Sequence, residues 1–311
     1  MASPRSSTFD RWRFALKPAS WPKLLVPFAL GQAIGIDATG SLSWTGLWLA
    51  LAFTAADAVF VVTLNDWGDR EVDAIKRRMF PKTSQKTIPD GILPAHVLLF
   101  TGIGAGIVAL GVASLGLGLD RPLAPVVGAL ALGIFVAYTL PPLRLNYRGG
   151  GELLEALGVG LVLPWLSAYL QSGRAWMPAL DVLPGFAFLA LASAVASGLS
   201  DERSDREGGK RTLVTMLGST LARRAMLACA ALGPVAWALA ALIPHGTPTA
   251  ALGLAAALQG LTWPALMRLS KDATTDAFDA QSKLKAALHR SSWESALGIA
   301  MLLALGPWFG L

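Results

Sequence analysis

The sequence predicts an all-α, polytopic membrane protein, with nine transmembrane helices around a central cavity that is capped on the cytoplasmic side. Composition, the spacing of apolar segments and the distribution of basic residues support this prediction. Of the 311 residues, 54% are hydrophobic and only 15% are charged, whereas a soluble domain carries about 25% charged residues. An apolar surplus of this size must face lipid. We expect the whole chain, residues 1–311, to form one membrane domain.

Nine segments are apolar over roughly the 20 residues that a helix needs to cross the hydrocarbon core. In the first of them, Pro22, Lys23 and Pro27 crowd the start. The charged segment 269–291 has helical spacing and is expected to be a solvated interfacial helix. The predicted spans are 22–38, 43–64, 94–118, 121–140, 152–171, 177–199, 220–243, 248–268 and 292–311.

The basic residues give an independent test of this count. If nine segments cross, all but two of the 26 lysines and arginines fall on one side, the exceptions being Arg121 and Arg174. The positive-inside rule places that side in the cytoplasm. We therefore expect a multi-pass protein of the cell (inner) membrane, with a cytoplasmic N-terminus and no cleavable signal. The net charge of +6 is a topology signal and indicates no nucleic-acid partner.

Two acidic motifs lie where predicted spans reach the cytoplasm. The first is NDWGDREVD at 65–73, in which Asn65, Asp69 and Asp73 recur every four residues and share one face of a helix. The second is DERSD at 201–205, with Asp201 and Asp205 at the same spacing. In a chain with so few charges, two matched motifs on one side of the membrane indicate a functional site. The candidate metal ligands are Asn65, Asp66, Asp69, Asp73, Asp201 and Asp205.

These motifs suit Mg²⁺. This ion takes one or two carboxylates together with phosphate oxygens and water, and motifs that lack His and Cys are poor sites for zinc or iron. Facing each other across a cavity, they could hold magnesium against a diphosphate and neutralise it as a leaving group. Basic residues near the motifs could contact phosphate oxygens directly, namely Lys86, Arg144 and Lys210.

One further acid stands inside a predicted span. Asp57 precedes Asn65 by eight residues, which places it on the same helix face but about 12 Å deeper. Carboxylates within the membrane are costly and usually face a cavity. We expect Asp57 either to line the cavity and contact or deprotonate an acceptor, or to be a protonated acid bonded to a neighbouring helix.

These residues carry a family resemblance over most of the chain. The stretch NDWGDREVDAI at 65–75 fits the NDxxDxxxD motif of the UbiA superfamily of intramembrane prenyltransferases. LKPASW at 16–21 and YTLPPLRL at 138–145 resemble the chlorophyll and bacteriochlorophyll synthase branch. DERSDREGGKRTL at 201–213 is instead similar to the menaquinone-forming branch, which prenylates dihydroxynaphthoate. Lys86 and Thr87 depart from the Arg and Pro that are usual in the family.

The resemblance implies a fold, a reaction and a set of roles. It implies nine helices and Mg²⁺-dependent transfer of a polyprenyl group from a prenyl diphosphate to a lipophilic acceptor. Tyr138 would lie near the allylic carbon and stabilise developing positive charge, although a Tyr at this level can also be an interfacial anchor. Asn65, Asp69, Asp73, Asp201 and Asp205 would bind Mg²⁺, and Lys17, Lys86, Arg144 and Lys210 would bind diphosphate.

The motifs leave several outcomes open. An aromatic quinone precursor is the first candidate acceptor, and a chlorophyllide-type tetrapyrrole is the second. A membrane class I terpene cyclase would use the same site without an acceptor. A transporter is the third alternative, but transporters bind their substrates near the bilayer midplane, whereas these acids cluster at one surface.

Overall fold

The computed structural model describes residues 7–242 and 247–309, and every regular element in these ranges is helical. Helical turns of the 3₁₀ type link several of the helices, and a π-helical turn at Gly158–Val162 joins the seventh helix to the eighth. The α-helices are α1 Thr8–Leu16, α2 Pro22–Thr39, α3 Trp44–Gly68, α4 Arg70–Met79, α5 Ala95–Leu115, α6 Ala124–Thr139, α7 Gly151–Leu157, α8 Leu163–Ser172, α9 Leu183–Gly198, α10 Glu202–Glu207, α11 Leu213–Ala240, α12 Thr249–Asp272 and α13 Phe278–Phe309.

Each predicted span overlaps one or more helices, which confirms the all-α prediction for the described residues; residues 243, 310 and 311 of the predicted spans lie outside them. Within residues 7–242 and 247–309, five helical stretches are long and apolar enough to cross a membrane, and Ala124–Thr139 is a shorter apolar helix. The number of spans, nine, and the cytoplasmic cap stay predictions. The five stretches are Trp44–Gly68, Ala95–Leu119, Gly151–Ser172, Pro178–Glu207 and Thr249–Asp272.

Two helix boundaries differ from the prediction. The helix expected to begin near residue 220 begins at Leu213, but Gly218 interrupts it with a φ of 74°, a conformation that glycine adopts without strain. The segment 269–291 is not a separate interfacial helix. From Phe278 onward it is continuous with the last predicted span in α13, because nothing in its sequence breaks the helix before Pro307.

Small residues let the helices approach closely, as is common in membrane proteins. A Cβ added to Gly31 of α2 would lie 2.1 Å from the carbonyl oxygen of Pro164 in α8. On the other side of the fold, α5 packs against α3, and a Cβ on Gly106 would lie 2.9 Å from the ring of Phe60. Large apolar side chains such as Ile107 and Leu261 point outward and are 68% and 80% exposed, as expected of a lipid-facing surface.

The first acidic motif spans the junction of two helices. α3 ends at Gly68 and α4 begins at Arg70, so Asp69 lies between them rather than inside one helix as the sequence predicted. The helical hydrogen-bond pattern nevertheless continues, because the amide of Asp69 donates to the Asn65 carbonyl and the amide of Asp73 donates to the Asp69 carbonyl. The motif therefore keeps its helical hydrogen bonds across the junction between α3 and α4.

Candidate active site

A cavity of about 360 Å³ opens between the helices that carry the two acidic motifs. Its polar end is formed by Asn65 and Asp69 of the first motif and by Asp201 and Asp205 of the second. Its walls become apolar away from the motifs, and the π-helical turn contributes Gly158 and Val159. The other apolar lining residues include Leu24, Val61, Val62, Ala131, Ile134, Phe135, Leu154 and Leu163.

Lysine side chains cross between the two motifs and hold them together. Lys76 of α4 pairs with Asp201. Lys210, which follows the second motif, donates to Asp69 Oδ2 at 2.7 Å. The geometry therefore brings the two motifs to one end of one cavity, as the sequence predicted.

Asp66 and Asp73 lie in a layer outside the cavity. Asp66 pairs with Lys17 and accepts a hydrogen bond from Thr87 Oγ1 at 2.6 Å. Asp73 pairs with Lys86. In the part of the chain that the structure describes, Asp66, Asp73 and Lys86 do not line the cavity, whereas Lys17 does.

Burial and neighbouring charges shift the pKa values of Asp73 and Lys86 in this outer layer and of Lys210 in the cavity. Burial raises the pKa of Asp73, and the ammonium group of Lys86 opposes that rise. Burial acts to lower the pKa of Lys86 and of Lys210, but the surrounding carboxylates outweigh it and raise both pKa values. Both lysines therefore carry a positive charge at neutral pH.

Arg144 contacts the first motif from outside the cavity. Its guanidinium donates to the Gly68 carbonyl at 2.7 Å and lies 3.7 Å from the centre of the Tyr147 ring. The Tyr147 hydroxyl in turn donates to Asp69 Oδ1 at 3.0 Å. Burial and the adjacent Asp69 raise the pKa of Tyr147, so the hydroxyl keeps its proton and stays a donor. The structure thus places Arg144 against the end of α3, outside the cavity lining defined by the described residues.

Tyr138 lies in the cavity wall at the end of α6. Its ring stacks on Phe135, with centroids 5.8 Å apart, and Phe135 meets Phe60 edge to face at 5.4 Å. Both Tyr138 and Phe135 line the cavity. They could stabilise a cation there.

Asp57 also lines the cavity, on the inner part of α3. Its side chain is buried. No hydrogen bond to Asp57 is formed by any side chain within 7–242 or 247–309. The expected bond to a neighbouring helix is therefore not found in these ranges, and the cavity itself is the remaining site for a partner.

Several residues of the site were not predicted from the sequence. Lys76 could have been, because it follows Asp73 by three residues and lies on the same side of α4. Tyr147 gives no such signal, because its contact with Asp69 depends on how the loop after α6 folds back. Lys23 and Glu155, which form an ion pair of 2.7 Å in the cavity wall, come from distant parts of the chain.

The donor set fits Mg²⁺. The cavity end offers amide and carboxylate oxygens from Asn65, Asp69, Asp201 and Asp205, and ammonium groups already compensate two of these acids. No three acidic, His or Cys side chains in the described ranges are grouped closely enough to enclose an ion.

Solved structures share this fold. A UbiA homolog from Archaeoglobus fulgidus, solved with DMAPP and Mg²⁺, aligns with a TM-score of 0.70 at 17% identity, covering 92% of this chain and 99% of that one. A digeranylgeranylglyceryl phosphate synthase structure aligns with a TM-score of 0.64 at 10% identity, covering 96% and 99%. At these identities the likeness shows the fold alone.

Sequence comparison gives the family. Chloroplastic chlorophyll synthase from Arabidopsis thaliana is 27% identical over 234 residues, which are 70% of this chain but only 57% of that protein. The 1,4-dihydroxy-2-naphthoate octaprenyltransferase of Escherichia coli (strain K12) is 28% identical over 234 residues, 72% of this chain and 74% of that protein. The model of the UbiA prenyltransferase family matches residues 24–288. The chain is therefore a multi-pass membrane protein that belongs to the UbiA prenyltransferase family.

Proposed function

We propose that this enzyme transfers a polyprenyl group from a prenyl diphosphate to a lipophilic aromatic acceptor, a quinone precursor. The observation that carries the proposal is the cavity, which joins a charged end built from both acidic motifs to an apolar interior. A diphosphate fits the first part and a hydrocarbon chain fits the second. The solved structures of a homolog bound to DMAPP and Mg²⁺ and to GPP and Mg²⁺ support this assignment.

The diphosphate would bind at the charged end. Lys17 and Lys210 reach the cavity and can exchange a carboxylate for a phosphate oxygen. Lys86 and Arg144 would act from the outer layer, by adding positive charge and by fixing the end of α3. When bound, Mg²⁺ would neutralise the leaving diphosphate, held by oxygens of Asn65, Asp69, Asp201 and Asp205, with Asp66 and Asp73 behind them.

The cavity walls would control the allylic cation. As the carbon–oxygen bond breaks and its electron pair leaves with the diphosphate, the ring of Tyr138 would face the positive carbon. The apolar wall excludes water, which would otherwise capture the cation. Asp57 would contact the acceptor from the inner part of the cavity.

Two features favour an aromatic acceptor. Glu152 and Glu155 line the wall. Their negative charges would repel a carboxylate nucleophile, which the esterification of a tetrapyrrole requires. One relative is named for transfer to dihydroxynaphthoate. The likeness to chlorophyll synthases supports the second candidate, esterification of a chlorophyllide-type tetrapyrrole.

The proposed setting is the inner membrane, with the active site on the cytoplasmic side. The basis is the charge asymmetry of the sequence, since basic residues collect on the side that stays in the cytoplasm. The acidic motifs lie on that same side.

The experiment is a product assay with purified enzyme. Labelled geranylgeranyl diphosphate and Mg²⁺ are incubated with 1,4-dihydroxy-2-naphthoate, with chlorophyllide, or with no acceptor. We expect a prenylated naphthalene product, and only when the naphthoate and Mg²⁺ are both present. A product formed without acceptor would instead identify a cyclase, and esterified chlorophyllide alone would identify the second candidate.

A further inference from the structure

Two buried polar side chains in the cavity wall have atoms that no hydrogen bond accounts for. Asn146 is 1% exposed, and within the described ranges neither its Oδ1 nor its Nδ2 has a partner. Glu152 is 7% exposed. Its Oε1 accepts the amide hydrogen of Leu213 at 2.7 Å, whereas its Oε2 has no partner among the described residues. Buried polar atoms are nearly always paired, and these three belong to residues that line the cavity, so a bound molecule could supply their partners.

Both side chains lie beside the reaction centre. A Cβ added to Gly151 would lie 2.9 Å from the Cα of Asn146 and 3.1 Å from Cε2 of Tyr138. Gly151 thus keeps open the space between Asn146 and the aromatic ring, and Glu152 follows it directly. Tyr147, the neighbour of Asn146, donates to Asp69. All of these residues except Tyr147 line the same cavity.

The unpaired atoms complement a hydroxyl group. An amide NH₂ donates and a carboxylate oxygen accepts, so a hydroxyl can receive one hydrogen bond and give the other. We propose that Asn146 and Glu152 form the acceptor subsite, with Asn146 Nδ2 donating to the acceptor hydroxyl oxygen and Glu152 Oε2 accepting its proton. This inference rests on the proposed transferase function and specifies its acceptor as a ring that carries a free hydroxyl.

The subsite gives Glu152 a catalytic role. A ring carbon conjugated with the hydroxyl donates its electron pair to C1 of the prenyl group, while the hydroxyl proton passes to Glu152 and the ring becomes a dienone. The same ring carbon then loses its former substituent, either a proton, which the released diphosphate takes up, or, at a carboxylated position, carbon dioxide. The ring regains its aromatic electrons, and Glu152 returns the proton to the oxygen.

The test compares isosteric variants with a matched control. Glu152→Gln keeps an oxygen that accepts from the Leu213 amide but loses the negative charge. Asn146→Leu loses both the NH₂ donor and the oxygen acceptor of the side-chain amide. We expect kcat/KM for 1,4-dihydroxy-2-naphthoate to fall at least about ten-fold in each variant, with unchanged affinity for geranylgeranyl diphosphate. Gln259→Leu is the control, because Gln259 is also buried with an unpaired Nε2 among the described residues but does not line the cavity.

Acceptor analogues provide a second measurement that does not depend on the folding of a variant. Methyl ethers of the naphthoate hydroxyls lack the proton that Glu152 would take, so one of them should be a poor substrate for the wild-type enzyme. That ether should lose little further activity in Glu152→Gln. Wild-type rates with both ethers, or unchanged acceptor kinetics in both variants, would overturn the subsite. Failure of the wild-type enzyme to prenylate any acceptor would instead count against the proposed function.

Discussion

At the scale of single residues, the acids of the site differ in whether a lysine compensates their charge. Asp69 and Asp201 are compensated by lysines from the opposite motif, so they can exchange an ammonium for a divalent ion without a large change in local charge. Asp57 has no such lysine in the described ranges. An uncompensated acid in an apolar wall is costly, which indicates that its role depends on a bound molecule.

Replacing Asp57 tests that role. Asp57→Asn keeps the shape of the side chain but removes the charge, and we expect kcat/KM for the acceptor to fall about ten-fold, the effect of losing one charged hydrogen bond. KM for the prenyl diphosphate should not change. Asp37→Asn is the matched control, since Asp37 is an acid of α2 that does not line the cavity. Unchanged acceptor kinetics in Asp57→Asn would remove Asp57 from the site.

The sequence predicted the residues at the acidic end of the cavity and missed the contacts made by the loop after α6. Asn65, Asp69, Asp201, Asp205 and Lys210 line one cavity, and the sequence identified them because the spacing within each motif is a local property. The partners of Arg144 and the positions of Asn146 and Glu152 are set by how the loop after α6 folds back under α3. Such long-range contacts leave no periodic signal in the sequence.

At the scale of elements, the loop after α4 positions Lys86. Asp90 accepts hydrogen bonds from Arg77 Nε at 2.6 Å and from the Lys86 amide at 2.7 Å. Asp90→Ala removes both, so we expect a several-fold higher KM for prenyl diphosphate, of the size expected for one or two lost hydrogen bonds. Asp272→Ala, which changes an exposed acid at the end of α12, should leave KM unchanged. Equal KM values in the two variants would contradict this role for the loop.

The same contacts predict a pH dependence. Burial acts to raise the pKa of Asp90, but the Lys86 amide and the Arg77 guanidinium outweigh it and hold the pKa below its ordinary value. A lowered pKa stabilises the folded loop above the ordinary pKa of an Asp, and this stabilisation is lost as the pH falls through the lowered value. Hydrogen exchange of residues 80–92, corrected for intrinsic rates, should therefore increase only below about pH 4. In Asp90→Ala this step should be absent.

Helix packing gives a prediction about stability. The close approach of α2 and α8 leaves no room for a side chain at Gly31, so Gly31→Ala should lower the free energy of unfolding by about 1–3 kcal/mol, the usual cost of overpacking. Gly104→Ala is the control, since a Cβ there meets open space. Thermal unfolding in detergent measures both. Equal melting temperatures in the two variants would contradict the packing described for α2.

Helix positions were the most predictable feature at this scale, because long apolar runs identify them. Their ends were less predictable. The sequence carries Gly218, but a glycine inside an apolar run does not by itself show that α11 is interrupted there.

At the scale of the whole molecule, all contacts of the diphosphate are expected on one side of the membrane. This topology is testable in a Cys229→Ala background, which removes the only cysteine. With single cysteines introduced at the exposed positions Arg78 and Trp176, an impermeant maleimide should label Trp176→Cys in intact cells. It should label Arg78→Cys only after the membrane is opened. The reverse pattern would invert the proposed orientation.

The central claim is that two acidic motifs from different parts of the chain hold one diphosphate between them. The most direct measurement is a structure with Mg²⁺ and a non-reactive thiodiphosphate analogue of geranylgeranyl diphosphate. We expect the diphosphate between Asn65 and Asp69 on one side and Asp201 and Asp205 on the other, with Lys210 turned from Asp69 to a phosphate oxygen. A diphosphate that contacts one motif alone, or binds outside the cavity, would contradict this account.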